Sequence, residues 1–104
     1  MKQLYLCGAI SENPNYKKDF ETAYNKLRKA GYTAILNPIE FCEGLKTWDE
    51  CMRQCLFILS RHKNLGLAKI ETPYKSKGAE LEIQVAKALG FEIKSIDEWL
   101  ESIK

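Results

Sequence analysis

Residues 3–36 read QLYLCGAISENPNYKKDFETAYNKLRKAGYTAIL, and the apolar spacing changes twice along them. Gln3-Leu4-Tyr5-Leu6-Cys7 is a short, mostly apolar run closed by Gly8, as in a strand that enters a turn. Residues 11–15, SENPN, are a cluster of turn and helix-start residues. From Tyr16 the apolar positions are Tyr16, Phe20, Ala23, Tyr24, Leu27 and Ala30. Spacings of three and four describe one face of a helix, and Gly31 stops it. Tyr32 to Leu36 then reads as a second strand, ended by Asn37-Pro38. A helix between two strands is the connection that parallel pairing requires.

The same alternation continues to the end of the chain. Residues 39–46 read as a loop, and Thr47 with Glu50 three places later gives a capping-box start to a second helix. That helix carries Cys51, Met52, Cys55, Leu56 and Leu59 and fades at Arg61-His62. Leu65 to Ile70 is a third strand, weakened by Gly66, and residues 77–89 are a third helix stopped by Gly90. Phe91 to Lys94 and Ile96 to Ile103 complete the order β-α-β-α-β-α-β-α. Strands alternating with helices predict a parallel sheet with helices on its faces. Ligands in such sheets bind beyond the carboxyl ends of the strands, which directs attention to loops 8–15, 37–47 and 71–78.

Composition narrows the function classes. The 104 residues predict one domain spanning 1–104, with 45% apolar and 29% charged residues, an ordinary globular mixture. Sixteen basic and fourteen acidic side chains nearly cancel to +2, which excludes a polybasic module binding a nucleic acid polymer mainly through its phosphates. No apolar run approaches the roughly 18–20 residues of a membrane span, and the N-terminal apolar stretch is shorter than a signal-peptide core. A cytoplasmic protein with no membrane partner is expected. On that basis Cys7, Cys42, Cys51 and Cys55 give little reason to expect disulfides. Cys51, Cys55 and His62 can be drawn as a metal site, but they lack zinc-type spacing and no metal is expected.

The third helix holds one residue that fits poorly. With about 100° per residue and Ala79 at zero, Glu80, Gln84 and Lys87 fall between about 80° and 140°, a compact polar face. Ala86, Ile83 and Gly90 lie near the zero direction, and Glu82 lands at about 300°, between Leu89 and Ala86 in the apolar stripe. A carboxylate among apolar neighbours costs free energy unless it is paired, hydrogen-bonded or protonated, and such shifted carboxylates are characteristic of catalytic sites. The bland reading has Glu82 reaching water at the helix rim or pairing with a base.

Two segments carry a resemblance. Tyr5-Leu6-Cys7-Gly8-Ala9-Ile10 at the end of the first strand, with Ser76-x-Gly78-x-x-x-Glu82 opening the third helix, resembles the nucleoside 2-deoxyribosyltransferase superfamily. That superfamily includes the deoxynucleoside 5′-monophosphate N-glycosidases. The resemblance implies a small doubly wound, flavodoxin- or Rossmann-like parallel sheet of about four strands flanked by helices. It also implies a homodimer or higher homo-oligomer and a small-molecule nucleoside or nucleotide substrate, with no cofactor. The implied chemistry is cleavage of an N-glycosidic bond, or transfer of the deoxyribosyl group, through a glutamate nucleophile.

By position, Glu82 resembles that nucleophile and Tyr5 the tyrosine that orients it. Gly8, Ala9 and Ile10 would face sugar and base, and Ser76 and Gly78 the phosphate, although Ser76 also suits a plain N-cap. Where transferases usually carry an aspartate before the third strand, Asn64 stands at the matching position. Asparagine can hydrogen-bond a base edge but is no general acid. That departure supports an alternative, a non-catalytic protein that binds a nucleotide or nucleotide-derived signal. A structural protein on the same fold is the third possibility.

Overall fold

The computed structural model describes residues 2–103. Four strands form one all-parallel sheet: β1 (Gln3–Cys7), β2 (Ile35–Leu36), β3 (Leu65–Lys69) and β4 (Glu92–Ser95), in the order β2-β1-β3-β4. Five helices connect and follow them: α1 (Tyr16–Lys29), α2 (Pro38–Phe41), α3 (Trp48–Arg61), α4 (Lys77–Ala88) and α5 (Ile96–Glu101). The chain leaves β1 toward β2 on one side and returns to β3 on the other. This creates a topological switch point between the carboxyl ends of β1 and β3. The parallel sheet flanked by helices that the alternation predicts is the one observed, and its winding matches the doubly wound fold that the resemblance implies.

Side-chain alternation along the strands builds two cores. Leu4 and Leu6 of β1 and Ala68 of β3 face Phe20, Ala23 and Leu27 of α1 and Ile96 and Trp99 of α5. Tyr5 and Cys7, with Leu65 and Leu67, face Cys55 and Leu59 of α3 and Ala86 of α4. Both faces of the sheet are covered, which is why its central strands are buried almost throughout.

Gly66 weakens the sequence pattern of β3 for a packing reason. The Trp99 ring packs against it, so a Cβ placed there would sit 2.5 Å from the ring and 2.9 Å from Leu4. Trp99 is held by its indole Nε1, which donates to the Leu67 carbonyl at 2.9 Å, and by an edge contact with Tyr32.

Several boundaries differ from expectation, and β3, α4 and α5 each end one or two residues early, at Lys69, Ala88 and Glu101. β2 covers only Ile35–Leu36, because Tyr32 turns into the first core and donates its hydroxyl to the Trp99 carbonyl at 3.0 Å. The stretch after it is not all loop: Asn37 accepts from the Ile39 amide at 3.1 Å and Pro38 occupies the first turn, giving α2. β4 begins one residue later, because the Phe91 amide closes the end of α4 on the Ala86 carbonyl. The cysteine expectation also needs correction. Cys42 and Cys51 form a disulfide, brought to a Cα separation of 5.3 Å by α2 and the start of α3, a proximity set by the loop that spacing did not reveal.

Candidate functional site

At the switch point, Gly8 follows β1 and the chain is pinned by Asn13, which is 2% exposed and hydrogen-bonded through both side-chain polar atoms. Its amide donates to the Ala9 carbonyl at 3.3 Å and to Asp19 at 2.8 Å, and its carbonyl oxygen accepts from the Asn15 amide. The sequence marked this stretch only as turn-forming; the structure shows a polar nail that fixes the loop after β1. Across the switch point, α4 starts at Ser76, whose hydroxyl accepts from the Ala79 amide at 3.2 Å. Ser76 is therefore an N-cap, and the amides of Lys77 and Gly78 have no intrahelical acceptor.

The buried ridge of α4 is Gly78, Glu82 and Ala86, spaced four apart. Glu82 thus lies at the centre of the buried face, while Leu89 is exposed. Gly78 permits close approach of α3, since a Cβ there would meet Met52 Sδ at 3.1 Å. Glu82 is 6% exposed and accepts a hydrogen bond from the Tyr5 hydroxyl of β1. Among the described residues no ion pair involves it.

Burial raises the Glu82 carboxyl to about 7, against a pull downward from the Tyr5 hydrogen bond. The groups around it are driven the same way. Tyr5 and Cys7 are pushed well above their ordinary values, first by burial and then by the negative charge of Glu82. The site is therefore a neutral pocket of hydrogen-bond donors around one acid that titrates near neutrality.

A cavity of about 670 Å³ opens between the loop after β1 and the start of α4. Gly8, Ile10, Ser76 and Gly78 line it, together with Ser11, Lys17, Lys46 and Trp48. Ala9 instead lines a neighbouring hollow of about 240 Å³, which shares Gly8 and Ser76 with the first. Glu82 and Tyr5 are not in the lining of the larger cavity; Glu82 sits one helical turn along α4 from its Gly78. The acids that do line it are Glu40 and Glu43, from the segment following β2. Nothing in the apolar periodicity singled them out, because their position depends on α2 turning back over the sheet end.

Asn64 is not brought to this site. It is exposed at the amino end of β3, in a separate hollow with Lys2, Gln3 and His62. His62 accounts for its own ring, with Nδ1 at 2.7 Å from the Ile58 carbonyl. The sulfur cluster is Cys42, Cys51 and Cys55, all within 4.8 Å, and two of these are bonded to each other.

A four-stranded parallel sheet with helices on both faces and a cavity beyond the strand ends places the protein among Rossmann-like α/β proteins. The chain belongs to the family described as a domain of unknown function, DUF4406, whose match spans residues 2–95. Comparison with curated proteins gives no match. Among the described residues, no helix is long and apolar enough to cross a membrane.

Proposed function

We propose that the protein acts on the N-glycosidic bond of a 2′-deoxyribonucleoside or its 5′-monophosphate, with Glu82 as nucleophile, in the manner of the nucleoside 2-deoxyribosyltransferase superfamily. The observation that carries this reading is the buried Glu82 carboxyl, hydrogen-bonded to Tyr5 and one turn from a nucleotide-sized cavity. One carboxylate oxygen attacks C1′, the C1′–N bond breaks with its electron pair going to the base, and a deoxyribosyl ester forms on Glu82. Water, or a second base, then attacks C1′ and releases Glu82. The free amides of Lys77 and Gly78 and the Ser76 hydroxyl suit a 5′-phosphate. The acids that line the cavity are Glu40 and Glu43, whereas Asn64 lies in a separate hollow at the amino end of β3.

Incubation with the four deoxynucleosides and their 5′-monophosphates is expected to release free base, detected by chromatography. No release from any of the eight sinks the enzymatic reading. Tyr5 is a positioning residue in this scheme. Tyr5→Phe is expected to lower kcat about tenfold to a hundredfold. Its hydroxyl pulls the Glu82 pKa down, so the acidic limb of the pH–rate profile moves to higher pH. An unmoved limb rejects that role.

A second reading has its own support. Because Glu82 and Tyr5 do not line the cavity, the site also suits a protein that holds a nucleotide without turning it over. Thermal-shift screening would then find a nucleotide that is recovered intact. A homo-oligomer is supported by Phe57 of α3 and Leu81 and Leu89 of α4, large apolar side chains left exposed on two neighbouring helices.

A further inference from the structure

Three sulfurs meet where the cavity wall joins the second core. Cys42 caps the end of α2, and Cys51 and Cys55 stand one turn apart on α3. Cys42 is bonded to Cys51, and its sulfur lies 3.8 Å from that of Cys55. The bond closes a nine-residue separation around an exposed loop and the first turn of α3, which supply Leu45, Lys46 and Trp48 to the cavity. Residues 43–50 are all exposed, Trp48 at 52%. Their hydrogen bonds are local, among them the Leu45 amide to the Cys42 carbonyl, the Lys46 amide to Glu50 and the Glu50 amide to the Thr47 hydroxyl. Cys42 and Cys51 are themselves only half-buried and line the same cavity, so a small thiol reaches them from solvent.

We propose that Cys42, Cys51 and Cys55 form a thiol–disulfide exchange site, at which small thiols open and close the Cys42–Cys51 bond and so set whether residues 43–50 hold the cavity wall. The thiolate of a small monothiol attacks one sulfur of the pair, forming a mixed disulfide and releasing the other as a thiolate. A second thiol attacks the mixed disulfide and leaves with the first as the oxidised small disulfide. Two electrons pass from the two small thiols to the protein bond, and their protons end on Cys42 and Cys51. The reverse reaction, with a small disulfide as oxidant, restores the bond. Disulfides of this reversible kind are the redox-responsive ones.

Cys55 is the reserve partner. It is 3% exposed, and burial followed by the charge of Glu82 raises its thiol to about 12. It is therefore protonated near neutrality and does not compete with Cys51 for Cys42. It also contacts Tyr5, so a bond from Cys42 to Cys55 would reach the Tyr5–Glu82 pair directly.

The test treats the folded full chain with excess reduced or oxidised glutathione, then alkylates it in denaturant and maps it by mass spectrometry. Reduced protein is expected to show four free thiols. Oxidised protein is expected to show two, with the Cys42 and Cys51 peptides linked. Reduction is expected to lower Tm by about 10 °C. Cys42→Ser is expected to melt at the same temperature in both conditions. Cys51→Ser is expected to yield a Cys42–Cys55 link on oxidation, and failure to do so removes Cys55 from the site.

Four free thiols after oxidation, or equal Tm in both states, overturns the proposal. The claim about the cavity rests on the nucleotide reading and is read separately. Thermal protection by the four deoxynucleoside 5′-monophosphates is expected to need at least threefold more ligand in the reduced form. Equal protection overturns the link to the cavity wall. Linkage and Tm shift with no protection in either form leaves the exchange site standing and rejects the nucleotide reading.

Discussion

Glu82→Gln is expected to abolish turnover, by roughly a thousandfold or more, while making the protein more stable at pH 8. The two effects have one cause. The folded state holds the Glu82 carboxyl at about 7, against an ordinary 4.5, because burial disfavours its charge. A group whose pKa is raised by folding binds its proton more tightly in the folded state. The stability this provides is fully present below about pH 4.5 and is lost as pH rises through about 7. Over that window the loss amounts to about 3 kcal/mol.

Glutamine keeps the acceptor for Tyr5 and never ionises, so the variant escapes this loss. Urea denaturation at pH 5 and pH 8 should show wild type weakening between the two and Glu82→Gln unchanged. Wild-type turnover should move the other way, rising with pH through about 7, because only the ionised carboxylate attacks C1′. A variant that retains turnover disproves the nucleophile. A wild type equally stable at both pH values disproves the burial argument.

Gly66→Ala is expected to be the most damaging conservative change in the sheet. The added methyl would stand 2.5 Å from the Trp99 ring and 2.9 Å from Leu4, and neither neighbour has room to retreat. Leu4 is fully buried in a central strand, and Trp99 is tied by Nε1 to the Leu67 carbonyl. Overpacking of this kind costs about 3 kcal/mol, which lowers Tm by about 15 °C in a domain of this size. Trp99→Phe removes the ring atoms that collide, so the double variant should lose less than the sum of the two single changes. Additive losses in thermal denaturation would show that the ring is not the obstacle.

The order of elements was legible because strand and helix periods differ and Gly31 and Gly90 interrupt the helices. Glu82 was legible for a related reason: an acid inside an apolar stripe stands out on a helical wheel. Its partner Tyr5 was not readable from periodicity, since a strand tyrosine looks like any core aromatic until α4 is placed against β1. The short helix α2 was hidden because four residues carry no period, although Asn37-Pro38 is a helix start as well as a strand end. The Cys42–Cys51 bond and the cavity positions of Glu40 and Glu43 depend on how that helix turns the chain. Asn64 matches the motif only by its order in the chain, and its position before β3 puts it at the opposite end of the sheet.

The alternation of β1 has a consequence for how this strand can vary. Leu4 and Leu6 serve the core under α1 and α5, while Tyr5 serves Glu82 on the other side. Sliding the strand by a single position would invert both assignments at once, thrusting the phenol toward Trp99 and leaving the acid facing leucine. The phase of five residues is thus locked from two directions, and scaffold and chemistry cannot drift independently there.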